Sequence, residues 1–182
     1  MPIIIYYEKS IIMKSYTNLI IPNVTLQEIS NDGNINIINN YFFKNKRVVV
    51  FSVPGAFTPT CTTKQLPDFE KAYDEIVSLG ISEVYCLSVN DSFVMKSWRE
   101  FLGIKKVKFL ADSTTAFTEK MGMLVDKKHL GMGMRSWRYT IIINNMLVEA
   151  LLEEPGRTLV RSFEDPYKET SPKNILKYLK TD

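Results

Sequence analysis

Apolar and polar positions along the chain follow two periods in alternation. RVVVFSV (47–53) is an unbroken, β-branched run, as expected of a central strand covered on both faces. After Cys61, the residues Leu66, Phe69, Ala72, Tyr73, Ile76 and Leu79 recur at spacings of three and four, which predicts a helix closed by Gly80. EVYCLSV (83–89) reads as a second buried strand, and Asn90 or Asp91 can cap a helix through SFVMKSWREFLG that Gly103 ends. KVKFLAD (106–112) is a third strand, followed by a short helix around Ala116–Met121. In WRYTIIINNMLVEALL, Asn144 and Asn145 can supply the positive φ of a tight hairpin turn. SPKNILKYLK then places Pro172 at a first helical position and ends on a basic turn.

Strand, helix, strand, helix, strand and a terminal hairpin with a closing helix predict an α/β fold: a mixed central sheet with helices on both faces. The chain has 182 residues, 45% of them hydrophobic, and shows no repeat or linker, which fits one domain able to bury its own core. Residues 17–182 are assigned to that domain and 1–16 to an N-terminal extension. The opening stretch MPIIIYYEKSIIMKSYTNLI is broken by Glu8, Lys9 and Lys14, so no apolar run approaches the ~18 residues of a membrane span. It fits a secretory signal or a transit peptide poorly. An extra strand, or a leader remnant with Met13 as an alternative start, suits it better.

Charge and cysteine usage then restrict the function. The net charge of +3 is mild and the basic residues are interleaved with acids, which does not suggest nucleic acid as a partner. Two cysteines are too few for a disulfide scaffold and favour a reducing, cytoplasmic setting, with organellar import left open by the extension. With one histidine besides, the chain lacks the ligand density of a zinc, haem or iron–sulfur site, and a cofactor-free mechanism is favoured.

One thiol is placed for chemistry. In open α/β sheets, reactive groups gather outside the carboxyl ends of the strands. Cys61 follows the strand ending near Val53 by one short loop and opens the next helix, where unpaired backbone N–H groups stabilise negative charge on sulfur. Pro54 and Pro59 stiffen that loop, and Thr58, three residues before the cysteine, is near enough for its hydroxyl to accept from one partner and donate to another at the sulfur. Pro67 falls inside the following helix and predicts a kink or a change of helical segment. On composition alone, Cys61 reads equally well as an inert helix-start residue.

The motif PGAFTPTC, with Pro54, Thr58 and Cys61, resembles the peroxidatic motif of the peroxiredoxins, proline–x–x–x–threonine–x–x–cysteine. CLSVNDSFVMKSW (86–98) and GMGMRSWRYTIII (131–143) narrow the resemblance to the peroxiredoxin-five, or plant type II, subfamily and to the peroxidase portion of bacterial peroxiredoxin–glutaredoxin hybrids. It covers about residues 17–180. The resemblance implies a thioredoxin fold, reduction of hydrogen peroxide or alkyl hydroperoxides, an active-site arginine matching Arg138, and a homodimer formed through loops around the site. Arg138 can donate twice and never deprotonates, which suits charge building on a leaving oxygen. Without the motif, it reads as a strand residue paired with an acid. Arg135 is the fallback if the strand register differs.

Departures from the family pattern bear on recycling. Members with an internal resolving cysteine carry it in the C-terminal region, but residues 87–182 contain none. Cys86 stands mid-strand, where apolar packing is the favoured reading. Resolution is therefore expected from outside; the resemblance implies glutathione followed by glutaredoxin as the reductant, with thioredoxin as the rival. Thr60 stands where many members carry glycine, which puts substrate preference in doubt. His129, in the polar DKKHLG loop, reads as a solvated residue rather than a base. Met121, Met123, Met132 and Met134, with Phe57, Trp98 and Trp137, are candidates to line a substrate groove or a subunit contact. A disulfide oxidoreductase is disfavoured because TPTCTTK has a single thiol. A non-enzymatic peroxide sensor, redox relay or holdase would use the same Cys61.

Overall fold

In the computed structural model, which describes residues 16–158 and 165–181, the three apolar runs become neighbours at the centre of one seven-stranded sheet. The hairpin β1 (Leu26–Ile29) and β2 (Ile35–Ile38) forms one edge. Next in the chain are β3 (Arg47–Val53), α1 (Leu66–Ser78), β4 (Glu83–Ser88), α2 (Ser92–Leu102) and β5 (Lys108–Ala111). A short helix α3 (Ala116–Lys120) and a separate two-stranded ribbon, β6 (Leu124–Asp126) with β7 (Met134–Ser136), precede the closing hairpin β8 (Tyr139–Asn144) and β9 (Leu147–Glu153) and the last helix α4 (Pro172–Leu179). The sheet order is β2-β1-β5-β4-β3-β8-β9, with β3, β4 and β5 parallel and the outer strands antiparallel.

This topology explains how the faces are covered. Both crossovers, β3 to β4 and β4 to β5, step across the sheet in the same direction, so right-handed connections put α1 and α2 on one face. α4 joins them: Phe69, Met95, Trp98, Ile175 and Leu179 pack in one buried cluster with Val49, Phe51, Val53 and Cys86 of the strands. On the other face, Val48, Val50, Tyr85 and Leu87 pack with Phe43 and with Phe117 of α3. Phe51 and Phe69 lie face to face with ring centroids 4.0 Å apart, both fully buried. Removing one ring leaves a cavity the sheet cannot close, so Phe69→Ala should lower the unfolding free energy by about 3–5 kcal/mol in urea denaturation. A loss below about 1 kcal/mol would mean that α1 is not the main cover of this face.

The predicted segments hold, with local differences. Asp91, rather than Asn90, caps α2, its carboxylate accepting from the Val94 N–H, and Gly103 ends the helix at φ 64°. The hairpin turn is centred one residue later than Asn144-Asn145: Asn144 pairs with Leu147, which leaves Asn145 and Met146 as the two turn residues, at φ 48° and 68°. Pro67 sits in the first turn of α1, and the change of segment it predicts is a five-residue π-helical turn, Cys61–Gln65, immediately before. Met121 and Met123 are core residues of the second face and line no groove. Residues 1–15, and with them the expectation of an extra strand or of a leader remnant with Met13 as an alternative start, lie outside the described residues, but Asn18 to Ile21 follow the β9 side of the closing hairpin, with Ile20 bridged to Leu147. Among the described residues, no helix is long and apolar enough to cross a membrane.

Candidate active site

The parallel strands β3, β4 and β5 end together, and the loop after β3 turns directly into a helix at that edge. Helical geometry starts at residues 59–60, so Pro59 occupies a first-turn position, where its missing N–H is not needed. Cys61 follows in the first turn, where backbone N–H groups have no intrahelical acceptor. The loop itself is tightly held. The Thr58 hydroxyl donates to the Gly55 carbonyl at 2.7 Å, and the Ala56 N–H donates to the Asn90 side chain at 3.0 Å, which ties the loop to the end of β4. A side chain on Gly55 would meet the Thr58 methyl at 3.2 Å and the Met132 methyl at 3.3 Å, so this backbone approach favours glycine. Phe57 adopts φ 62°, a conformation rare for a bulky residue and imposed by the turn around it.

Thr58 thus differs from the expectation in one respect: its proton goes to a carbonyl, not to the sulfur. Its oxygen lone pairs remain able to accept. Thr60 takes ordinary right-handed helical angles, φ −63° and ψ −39°, so threonine is accommodated there without strain.

Sulfur and guanidinium come together because of strand register. β8 runs antiparallel to β3 with Tyr139 opposite Ser52, which sets Arg138 at the β8 entrance beside the end of β3. Cross-strand partners share a face, so Arg138 enters on the Val53 side, the side that holds Cys61. Cys61 is 0% exposed and Arg138 1%, and Nη1 of Arg138 lies 3.5 Å from Sγ of Cys61. The same Nη1 donates to the Gln65 side-chain oxygen, and Nη2 donates to the Asp165 carboxylate. Burial works against the charge of Arg138, but the neighbouring Cys61 and Asp165 outweigh it and raise the arginine's pKa. The Tyr167 ring lies over the guanidinium, its centroid 5.9 Å from Cζ.

Arg135 has a different position. It lies on the β6–β7 ribbon, where Nε donates to the Met132 carbonyl at 2.7 Å and Nη1 to the Val89 carbonyl at 2.6 Å. It braces loops. His129 is half-exposed in a short turn, Lys128–Leu130. Trp98 and Trp137 are both buried, with indole N–H groups committed to Thr62 Oγ1 at 3.1 Å and to the Glu154 carbonyl at 2.8 Å. Cys86 packs on the same side of the sheet as Cys61, opposite Phe51 and Phe109 in its two neighbouring strands. Burial pushes its thiol pKa well up, the adjacent Cys61 adds to this and Arg138 opposes it, so Cys86 is held as a neutral, weakly nucleophilic thiol.

A buried sulfur in contact with a buried guanidinium, at the end of a proline-bounded loop, is a site for thiolate chemistry on a small substrate. The Redoxin family model matches residues 17–164. The chain belongs to the peroxiredoxin family. It is of the type II, or peroxiredoxin-five, kind. A peroxiredoxin of Sinorhizobium fredii is 56% identical over 140 residues, covering 77% of this chain and 74% of the relative. A hybrid peroxiredoxin of Haemophilus influenzae is 38% identical over 167 residues, covering 92% of this chain and 67% of the relative. Among solved structures, the Plasmodium falciparum antioxidant protein, described as a one-cysteine peroxiredoxin, superposes with a TM-score of 0.84 at 36% identity, covering 91% of this chain and 99% of that one. The fold is accordingly the thioredoxin-like α/β fold of that family, and the activity is thiol-dependent peroxide reduction.

Sequence reasoning missed several neighbours of this peroxiredoxin's site. Gln65 was detectable, as a polar residue one turn beyond Cys61 on the side of a helix that carries buried Leu66 and Phe69. Lys127 is buried with Nζ 5.4 Å from the Trp137 ring centroid, and its pKa is lowered by burial, with Asp165 acting to raise it and Arg138 to lower it. Asp165 and Tyr167 lie in an irregular segment before α4, with no periodicity to mark them.

Proposed function

We propose that Cys61 is the peroxidatic thiol of this enzyme, that Arg138 and Thr58 bind the peroxide beside it, and that Pro54 shapes the enclosing loop. The observation carrying this reading is the 3.5 Å approach of Arg138 Nη1 to Cys61 Sγ in a fully buried setting. The sulfur, as thiolate, attacks one peroxide oxygen and an S–O bond forms as the O–O bond breaks. The second oxygen leaves with the electron pair and takes a proton, giving water or an alcohol and a Cys61 sulfenic acid. Charge builds on that leaving oxygen, and the guanidinium and the Cys61 N–H are the donors that offset it. Thr58, whose own proton is committed to Gly55, accepts from the incoming O–H.

Recycling is assigned to an external thiol, with glutathione and glutaredoxin favoured over thioredoxin. Cys86 supports this by its burial between two strands. The likeness to a hybrid peroxiredoxin is compatible with the glutathione route. A homodimer through the site-bordering loops is part of the same reading. In its favour, the Phe57 and Phe101 rings meet at a tilt with centroids 5.7 Å apart beside the Cys61 loop while remaining 49% and 71% exposed, an apolar surface suited to a partner chain.

One equivalent of peroxide without added thiol should leave Cys61 as a sulfenic acid on intact-mass analysis. Excess peroxide should carry it to sulfinic acid, and glutathione added first should trap it as a mixed disulfide. A Cys61–Cys86 bond as the main product would place resolution within the chain. Steady-state turnover with the glutathione–glutaredoxin pair, compared with the thioredoxin pair, tests the reductant. One stoichiometric oxidation with no turnover under either system would favour the sensor or holdase role.

A further inference from the structure

The guanidinium of Arg138 is gripped from two sides, and only one grip belongs to the Cys61 helix. Gln65 and the sulfur share Nη1, while Nη2 goes to Asp165, from a part of the chain that follows the sheet. Nε is buried without a hydrogen-bond partner among the described residues. The segment carrying Asp165 is itself anchored. Buried Glu154 accepts from the Lys168 N–H at 2.7 Å and from the Thr170 N–H and hydroxyl, each at 2.9 Å. The Glu154 N–H in turn donates to the Arg138 carbonyl at 3.1 Å, and Tyr167 reaches Asp68 of α1 at 3.0 Å.

We propose that Asp165 is a positioning residue for peroxide reduction: it fixes the plane of the Arg138 guanidinium so that Nη1 stays on the sulfur and Nε is left for the peroxide. A guanidinium held only at Nη1 can rotate about its long side chain. One held at both ends of its fork cannot do so without breaking a charge-assisted hydrogen bond. The second anchor must come from outside the helix, because Cys61 and Gln65 both approach Nη1. The Asp165 side chain is 41% exposed, so a substitution there disturbs the packed core little.

The proposal rests on Cys61 being the peroxide-reactive thiol, and the experiment separates the two. Second-order rates of Cys61 with hydrogen peroxide and with iodoacetamide are measured on the unsubstituted chain, Asp165→Asn and Asp165→Glu. Alkylation reads the nucleophile without using the oriented donors. Misplacing a reacting group by about 1 Å costs up to about a hundredfold, so Asp165→Asn should slow peroxide by about tenfold or more, with alkylation changed less than about threefold. Asp165→Glu, which keeps the carboxylate, should recover part of the peroxide rate. An unchanged or faster peroxide rate in Asp165→Asn, or an equal fall in both reactions, would overturn the positioning role. No reaction of the unsubstituted chain's Cys61 with peroxide would instead sink the site assignment beneath it.

Discussion

Replacing Cys61 with serine should abolish peroxide turnover, by more than about a thousandfold, while Cys86→Ser keeps most of it. The two thiols are neighbours in one core but differ in surroundings. Cys61 lies in a first helical turn against Arg138, 3.5 Å from its Nη1, whereas Cys86 sits mid-strand with burial pushing its pKa well up. An alcohol at position 61 keeps the shape and loses the nucleophile, and the reaction has no substitute for it. At position 86, a buried hydroxyl costs roughly 1–3 kcal/mol of stability without touching the chemistry. Steady-state peroxide consumption, with circular dichroism to show that both variants fold, decides the matter. Comparable losses in the two folded variants would end the one-cysteine mechanism.

Arg138→Lys should lower the second-order rate with peroxide by roughly ten- to a thousandfold, the upper end being the loss typical of removing one charge-stabilising donor. The positive charge survives this change. What disappears is the planar fork that meets Cys61 and Gln65 at one nitrogen and Asp165 at the other. Stopped-flow oxidation under pseudo-first-order conditions gives the rate directly. An undiminished rate would remove Arg138 from the reaction, and Arg135 could not simply take over, since its fork is engaged on the Met132 and Val89 carbonyls.

How far the sequence reached depends on which interactions carry each feature. Strands and helices with a strong period, such as 47–53 and 66–78, were legible because burial on a repeating set of positions decides them. The placement of Cys61 at the helix start after β3 was legible because its loop residues are local to it. The Arg138 contact was legible only through the family motif, because it depends on the register of β8 against β3, which no local pattern fixes. The division of labour at the hairpin turn followed the same logic: Met146 takes a positive φ because Asn144 pairs with Leu147, whatever its own preference. The partner of the Thr58 hydroxyl was not legible, since its proton goes to a nearby backbone acceptor, the Gly55 carbonyl, that no sequence pattern marks. Asp165 meets Arg138 across 27 residues with no periodic signal between them, and was not legible at all.

The π-helical turn has a mechanical meaning once the reaction is considered as a cycle. Recycling by an external thiol, as proposed above, requires a sulfur with no exposed surface to come within reach of a molecule larger than a peroxide. The turn Cys61–Gln65 is closed at its far end by the Leu66 N–H reaching back to the Cys61 carbonyl, and the next residue, Pro67, has no N–H to add a second latch. Residues 61–65 thus join α1 where one backbone hydrogen bond is missing, so opening them need not break α1's own ladder of bonds. The helix is built like a hinge pin with a removable first ring, and opening that ring, more than any bond made to oxygen, is the step that should respond most steeply to temperature during turnover.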